Sequence, residues 1–185
     1  AYESGDPRRE ATIIYDGENM EGVGVINFKD EPGVQPRANK KTMWPTTYWN
    51  ANNFAKQNCH LYFLRYADVL LMYAEALNEI SYSNSQTSDA MVALNAVHTR
   101  AGLSPVQITE LADQDSFRKA IMLERQQEFP YEGHRWFDLV RMGGAKEAMK
   151  AEGHTIQDFQ FLYPIPKTEL ERINNTELLW QNPGY

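Results

Sequence analysis

The sequence predicts a mainly α-helical protein, formed by a tetratricopeptide-like helical hairpin with further helices, extensive loops and one small β-hairpin. Three observations predict this class. The first 60 residues are rich in Gly, Pro, Asn and Thr, apolar residues recur at helical spacing after residue 61, and Gly102 and Pro130 close two helical stretches. A length of 185 residues suits a single domain with one core.

The loop-rich segment, residues 1–60, contains only short runs of β-forming residues. The runs TIIY (12–15) and VGVINF (23–28) lie between turn signals such as DGEN and DEPG. We therefore expect loops with one small hairpin in this part of the chain.

The helical core, residues 61–142, begins with the helical stretch LYFLRYADVLLMYAEALNEI. An apolar stripe recurs there at i, i+3, i+4, i+7, i+8 and i+11, which is one face of an α-helix. Its members are Tyr66, Val69, Leu70, Tyr73, Ala74 and Leu77. We expect this face to point into the core, together with Tyr62 just before it.

A second helix follows the polar tract SYSNSQTSD and carries its own narrow stripe. The stripe ends before Gly102, a residue suited to the position after a helix. Its members are Ala90, Ala93, Leu94, Val97 and Ala101. Small alanines among larger apolar residues predict that the two helices form a closely packed antiparallel pair. Only one pair is visible, whereas repeat arrays need about three units, so further units are expected elsewhere.

Further helical stretches complete the prediction. One begins near Asp113, runs through SFRKAIMLERQQEF and stops before Pro130, because proline disfavours helical geometry in the residue before it. A short helix in GHRWFDLVRMGG carries Trp136 and Phe137, which we also expect to point inward. Residues 143–185 are expected to form a helix in AKEAMKAEG and an extended tail.

Charge and motifs argue against several classes of function. The net charge is −7, and Lys and Arg are interleaved with acids, which argues against nucleic acid as a partner. Cys59 is the only cysteine, so no internal disulfide forms, and no apolar stretch is long enough to span a membrane. The four histidines lack metal-ligand spacing, and no nucleophile or phosphate-binding motif occurs. We therefore predict no catalytic residue, no metal site and no cofactor.

Glu124 and Glu128 lie four residues apart, on the helix face that also holds Phe117 and Ile121. A catalytic pair needs one carboxyl with a raised pKa, and a di-metal site would add a histidine three residues after a glutamate. The sequence has Gln127 in that place, so structural ion pairs with arginines are favoured. The candidate partners are Arg65, Arg100, Arg118, Arg125 and Arg135.

The segment WPTTYWNANN (44–53) combines aromatic and amide side chains without a helical period. An aromatic ring packs on the C–H face of a pyranose, while amides at the ring edge bond the sugar hydroxyls. The predicted ligand-binding residues are Trp44, Tyr48, Trp49, Asn50, Asn52 and Asn53. A lid folded onto the helices is an alternative role for the same residues, and the sequence leaves both open.

Five blocks, in order, resemble the C-terminal region of SusD/RagB-type outer-membrane lipoproteins. They are RYADVLLMYAEALNE (65–79), ALNAVHTRAGL (93–103), ERQQEFPYEGHRWFDLVRMG (124–143), YPIP (163–166) and QNPGY (181–185). GDPRREATI at the front resembles the point where that region begins. We therefore expect residues 1–185 to be one domain, the C-terminal region of a larger protein.

The resemblance implies a glycan-binding protein at the outer-membrane surface of Bacteroidetes-type bacteria, tethered by a lipid anchor outside this chain. It also implies delivery of the glycan to a TonB-dependent, SusC-like transporter, with binding but no cleavage. Two alternatives remain. One is a protein- or peptide-interaction scaffold of an outer-membrane uptake complex. The other is a glycosidase acting through Glu124 and Glu128, which is disfavoured because carboxylates one helical turn apart do not flank a sugar bond.

Overall fold

The computed structural model describes residues 2–20, 24–28, 37–42 and 61–185, and it contains two compact units, Ala1–Arg135 and Trp136–Tyr185. Helices dominate both units, which confirms the predicted class. They are α1 (Arg8–Thr12), α2 (Tyr66–Ile80), α3 (Asp89–Arg100), α4 (Gln114–Glu128), α5 (Arg135–Arg141), α6 (Ala145–Ala151) and α7 (Lys167–Ile173), with 3₁₀ turns at Ile108–Glu110 and Asp158–Phe161. None of the helices within these ranges has the length and apolarity needed to cross a lipid bilayer.

The strands of the described residues form two small antiparallel sheets. They are β1 (Ile13–Tyr15), β2 (Asn19–Met20), β3 (Gly24–Val25) and β4 (Arg37–Asn39). Strand β2 pairs with β3, which is the predicted small hairpin. Strand β1 pairs instead with β4, with Ile14 opposite Ala38, so the TIIY run is not part of that hairpin.

Helix α3 buries the stripe that its sequence predicts. Leu94 and Val97 are almost completely enclosed, and all five predicted members of the stripe are buried. The Ser88 hydroxyl accepts a hydrogen bond from the Met91 N–H at the start of the helix. At its end Gly102 adopts φ +84°, and its N–H donates to the Thr99 carbonyl, as expected for a residue that follows a helix.

Helix α2 packs on α3 and α4 through a face that overlaps the predicted one only in part. Ala74 is completely buried and Leu70 and Leu77 pack against the core, as predicted, whereas Tyr66, Val69 and Tyr73 are exposed. Its buried residues are Ala67, Asp68, Leu71, Ala74 and Asn78. Tyr66 is 76% exposed and Tyr62 is 51% exposed, and Tyr73 and Phe137 also lie largely outside. The inward assignment of these four aromatic residues is therefore wrong. The two alanines of the buried face let the helices approach closely, which a stripe of tyrosines would prevent.

Helix α4 has the predicted boundaries because the residues that set its ends lie next to it in the sequence. The Asp113 carboxylate accepts the Ser116 N–H (2.8 Å), and the Asp113 N–H donates to the Ser116 hydroxyl (3.0 Å). The helix ends at Glu128, before Phe129 and Pro130. Phe117 and Ile121 point into the core cluster shared with α2 and α3, as predicted.

The second unit, Trp136–Tyr185, joins the YPIP and QNPGY blocks by hydrogen bonds. The Ile165 N–H donates to Gln181 Oε1 (2.7 Å), and Gln181 Nε2 donates to the Ile165 carbonyl (3.0 Å). Asn182 Nδ2 donates to the Tyr163 carbonyl (2.7 Å). The two blocks therefore lie side by side in the tail of the chain.

Gly102→Ala is expected to lower the free energy of unfolding by about 1–2 kcal/mol, because a side chain at φ +84° is strained even where space is open. Chemical denaturation followed by circular dichroism measures the loss. Gly102→Asn is the control, since asparagine adopts this conformation more readily than alanine. An equal loss for Ala and Asn would contradict the conformational explanation.

Candidate functional site

A polar cleft of about 390 Å³ opens on the first unit, where five segments distant in sequence meet. The lining comes from α1, the residues after β4, the residues that lead into α2, the end of α3 and the end of α4. The lining residues are Arg8, Ala11, Thr12, Lys40, Lys41, Tyr62, Arg65, Arg100, Glu128 and Glu132. Charged side chains of both signs make up most of this list, so their pairing decides what the cleft can bind.

Glu128 is buried at the end of α4 and accepts hydrogen bonds from three guanidinium groups. Arg65 Nη1 lies 2.8 Å and Arg100 Nη2 lies 2.6 Å from its Oε1. Arg8 Nη1 lies 3.2 Å from its Oε2. Both carboxylate oxygens are therefore occupied by cations that come from three separate segments.

Glu124, one turn earlier on α4, is held in the same way. Arg8 Nη1 lies 2.5 Å from its Oε1, and His98 Nδ1 lies 2.8 Å from its Oε2. Every oxygen of Glu124 and Glu128 thus has a cationic or imidazole partner. This confirms the interpretation of the pair as structural ion pairs and adds Arg8 and His98 to it.

Glu132 lies just beyond α4 and joins two segments that flank the cleft. Lys41 Nζ lies 2.5 Å from its Oε1, and Arg65 Nε lies 2.8 Å from its Oε2. Lys41 also donates to the backbone carbonyl of Glu128 (2.6 Å). Burial acts to raise the pKa of Glu132, but the hydrogen bonds from Arg65 and Lys41 outweigh it and lower this pKa below its ordinary value.

Arg8 is the central cation that the sequence analysis did not find. Besides its contacts with α4, it forms a bidentate pair with Asp6, with Nε and Nη2 3.0 and 2.8 Å from the two carboxylate oxygens. Burial acts to lower its pKa, yet the hydrogen bonds to Asp6 and Glu124 raise this pKa above its ordinary value. The signal in the sequence was the GDPRREATI block, in which Arg8 contacts α4 and Asp6 pairs with Arg8.

The predicted arginine partners divide between the cleft and other sites. Arg65 and Arg100 bind Glu128, whereas Arg125 pairs with Asp68 (2.6 Å) and Arg118 pairs with Glu79 (2.7 Å). The Arg65 guanidinium also lies over the Phe129 ring, 4.9 Å from its centre, and Arg125 lies 5.2 Å from the same centre. Two guanidinium groups, one of which lines the cleft, therefore lie close to the Phe129 ring.

The charges around the cleft are matched. Asp6, Glu124, Glu128 and Glu132 face Arg8, Lys41, Arg65 and Arg100, and Lys40 pairs with Glu18. Because each acidic side chain is paired with a basic one, the surface has many hydrogen-bonding groups but no strongly positive or strongly negative electrostatic potential. Such a surface suits a neutral polyhydroxylated ligand better than a strongly charged one. Among the described residues, no group of His, Cys, Asp and Glu is arranged to hold a metal ion.

The predicted ligand-binding residues lie outside the described residues. They are Trp44, Tyr48, Trp49, Asn50, Asn52 and Asn53. The described residues nearest to them along the chain are Thr42 and Leu61, and Lys41, Tyr62 and Arg65 line the cleft. Lys41 and Arg65 bind the same Glu132 carboxylate.

Comparison with known proteins identifies the family. A model described as the SusD family matches residues 1–185. The chain belongs to the SusD family. Among curated relatives, SusD-like protein P2 of Formosa agariphila is 36% identical over 144 residues, which cover 72% of this chain and 28% of that protein. The chain spans 24% to 32% of the length of the curated relatives it matches.

Solved SusD-like structures share the fold along the whole chain. A SusD-like protein from Bacteroides fragilis superposes with a TM-score of 0.76 at 25% identity, covering 100% of this chain and 39% of that one. A laminarin-binding SusD-like protein superposes with a TM-score of 0.65 at 31% identity, covering 98% of this chain and 36% of that one. These matches confirm the family and fold that the five sequence blocks predicted.

The SusD-family blocks contain most residues of the ion-pair cluster around Glu124, Glu128 and Glu132. The block at 65–79 supplies Arg65, the block at 93–103 supplies His98 and Arg100, and the block at 124–143 supplies the three glutamates. The blocks that carry the resemblance therefore supply the three glutamates that join the segments around the cleft.

The acid stability of the SusD-family chain is expected to depend on Glu132. Its pKa is lower in the folded chain than the ordinary value of 4.5, so the folded state binds fewer protons. Its contribution is therefore complete above pH 4.5 and is lost as the pH falls through the lower folded-state pKa. Urea denaturation at a series of acidic pH values should show a shallower loss of stability for Glu132→Gln than for wild type. Glu171→Gln, at an exposed ion pair, is the control, and an equal change in slope for both variants would contradict the assignment.

Proposed function

We propose that this SusD-family chain binds polysaccharide or oligosaccharide at the bacterial cell surface without cleaving it. The observation that carries the proposal is the match of 98% of the chain, at 31% identity, to a solved SusD-like protein that binds laminarin. The paired carboxylates of Glu124 and Glu128 support binding over hydrolysis, because every oxygen already has a protein partner. Both carboxylates also lie one turn apart on one helix, so they do not flank a sugar bond.

The proposed contact surface is the aromatic and amide segment WPTTYWNANN (44–53). Trp44, Tyr48 and Trp49 would stack on pyranose faces, and Asn50, Asn52 and Asn53 would bond the ring hydroxyls. The proposal is supported by the pairing of Lys41 and Arg65 with Glu132, since these two residues precede and follow the segment in the sequence and both line the cleft. The matched charges of the cleft support a neutral glycan, and the proposal requires no cofactor or metal.

The glycan would then pass to a TonB-dependent, SusC-like transporter in the outer membrane. A lipid anchor outside these residues would hold the protein at the cell surface, as expected for its family. Nucleic acid has no role in this proposal. The whole protein, of which this chain is the proposed C-terminal region, would be the functional unit.

Trp44→Ala and Trp49→Ala, made in the whole protein, are each expected to weaken binding at least tenfold, because a stacked aromatic ring at the centre of a site carries a large share of its affinity. Calorimetric titration with laminarin, followed by a panel of plant, host and microbial polysaccharides, measures the change. Trp180→Ala is the control, since Trp180 is an exposed tryptophan of the second unit.

Unchanged affinity of both tryptophan variants would contradict the proposed contact surface. Wild-type protein that binds no polysaccharide but retains a membrane protein in a pull-down would favour the interaction-scaffold alternative over glycan binding.

A further inference from the structure

An aromatic ring forms part of the wall of the polar cleft. Tyr62 lines the cleft, and about half of its surface is exposed. The Arg65 guanidinium lies 5.7 Å from the centre of the Tyr62 ring. Arg65 is itself held in place, with Nη1 2.8 Å from Glu128 Oε1 and Nε 2.8 Å from Glu132 Oε2. The ring of Tyr62 is therefore both backed by a fixed cation and accessible from the cleft.

The cations of the cleft differ in the hydrogen bonds that they have left to donate. Arg8 and Arg65 already donate through all three of their guanidinium nitrogens. Arg100 is different, because its side chain is 58% exposed. Within the described ranges only its Nη2 is bonded, to Glu128 Oε1 at 2.6 Å. The N–H groups on Nε and Nη1 of Arg100 are therefore left to donate to a ligand.

The carboxylates that line the cleft have no such capacity. Glu128 and Glu132 are buried side chains, and every oxygen of both already accepts from an Arg or Lys. A ligand must therefore bring its own acceptor oxygens for the guanidinium and an apolar face for the ring. A pyranose has both, because its hydroxyl oxygens accept hydrogen bonds and its C–H groups form a flat face.

We propose that this cleft binds one sugar residue of a neutral glycan, with the Tyr62 ring stacked on the sugar and Arg100 donating to its hydroxyl oxygens. The proposal rests on the proposed function, because it takes the ligand to be a glycan. It adds a contact that is separate in sequence from residues 44–53, since Tyr62 precedes α2 and Arg100 is the last residue of α3. The volume of about 390 Å³ lies at the small end of ligand pockets, roughly 300–1,000 Å³, which suits a short part of a glycan.

A strongly anionic ligand is a poorer fit for this cleft. The charge of Arg100 is balanced in part by Glu128, and Lys40 pairs with Glu18. A guanidinium paired in this way can still donate hydrogen bonds, whereas the electrostatic attraction that would draw in an anion is weakened. Uncharged hydroxyl oxygens suit donors of this kind.

Substitution of Tyr62 in the whole protein tests the stacking contact. Tyr62→Ala is expected to weaken laminarin binding about tenfold, because it removes the ring on which the sugar lies. Tyr62→Phe keeps the ring and should bind within about twofold of wild type. Tyr66→Ala is the matched control, since Tyr66 is 76% exposed on α2 but does not line the cleft. In calorimetric titration, equal affinities of Tyr62→Ala and Tyr66→Ala, or equal losses for Tyr62→Ala and Tyr62→Phe, would overturn the proposal.

A chemical footprint tests Arg100 without changing the chain. Phenylglyoxal attaches to exposed guanidinium groups, and mass spectrometry measures its attachment to each arginine. A saturating laminarin oligosaccharide should slow the modification of Arg100 at least about threefold, since a ligand in a pocket buries most of its surface against the lining. Arg172, whose side chain is 73% exposed in the second unit, is the control and should react at an unchanged rate. No protection of Arg100, or equal protection of both arginines, would overturn the proposal.

These measurements separate this site from the proposed function. Wild-type whole protein that binds no polysaccharide would overturn both. Wild-type binding that Tyr62→Ala does not weaken, with Arg100 unprotected, would overturn only the site in the cleft. Weaker binding by Tyr62→Ala, with unchanged affinity of Trp44→Ala and Trp49→Ala, would support the cleft and contradict the contact surface at residues 44–53.

Discussion

Glu128→Gln is expected to lower the free energy of unfolding of this chain by about 3–5 kcal/mol, the usual cost of removing one partner from a buried ion pair. The side chain of Glu128 is 3% exposed and lies against Arg8, Arg65 and Arg100. Glutamine keeps the shape but carries no charge, and its NH₂ group can only donate. It would therefore leave guanidinium groups from three segments without their shared carboxylate.

Urea denaturation followed by circular dichroism measures this loss. Glu79→Gln is the matched control, because the Glu79–Arg118 pair has a similar short contact of 2.7 Å but lies at the surface. Exposed pairs contribute about 0–1 kcal/mol, so the control should change little. If Glu128→Gln and Glu79→Gln had the same small effect, the cluster would not be what holds α1, α2 and α3 to the end of α4.

Leu71→Ala is expected to destabilise the chain by about 2–5 kcal/mol, the range measured for removing a leucine side chain from a well-packed core. Leu71 is completely buried and belongs to the core cluster that also contains Leu94 and Phe117. The alanine would leave a cavity between helices that are already in close contact through small residues, so the neighbours have little freedom to fill it.

Met72→Ala is the control for this prediction, because Met72 is the adjacent residue of α2 but lies on its outer face. In the 185-residue chain its replacement should change the free energy of unfolding by about 0.5 kcal/mol or less. The same denaturant titration compares the two variants directly. A larger loss for Met72→Ala than for Leu71→Ala would mean that Leu71 does not lie on the buried face of α2.

The contrast between α2 and α3 shows why periodicity predicted one face and missed the other. In α3 a single narrow stripe is apolar, and its five members are all buried. In YADVLLMYAEALNEI apolar residues lie almost all round the helix, so spacing alone does not select a face. The tyrosines formed the more obvious apolar stripe in the sequence. The helix instead packs against α3 and α4 through the face that contains Ala67 and Ala74.

The sequence predicted that Glu124 and Glu128 form structural ion pairs, but it did not identify all of their partners. Two carboxylates one turn apart, with arginines elsewhere in the helical region, predicted structural pairing, and Arg65 and Arg100 do reach Glu128. Arg8 was missed because it contacts Glu124 across 116 residues of sequence. The glycan-contact residues from Trp44 to Asn53 lie outside the described residues and stay a prediction.

The sequence by itself determined the boundaries of α3 and α4, the presence of a small hairpin and the SusD-family membership, whereas it placed the start of α2 five residues too early. These depend on signals that neighbouring residues carry: the Asp113–Ser116 cap, Gly102 after α3, Pro130 after α4 and the ordered motif blocks. Only the tertiary structure decided which face of α2 is buried and which cations meet Glu124 and Glu128. Those choices depend on the close packing of helices and the pairing of charges between segments that are remote along the chain, and no local pattern specifies either.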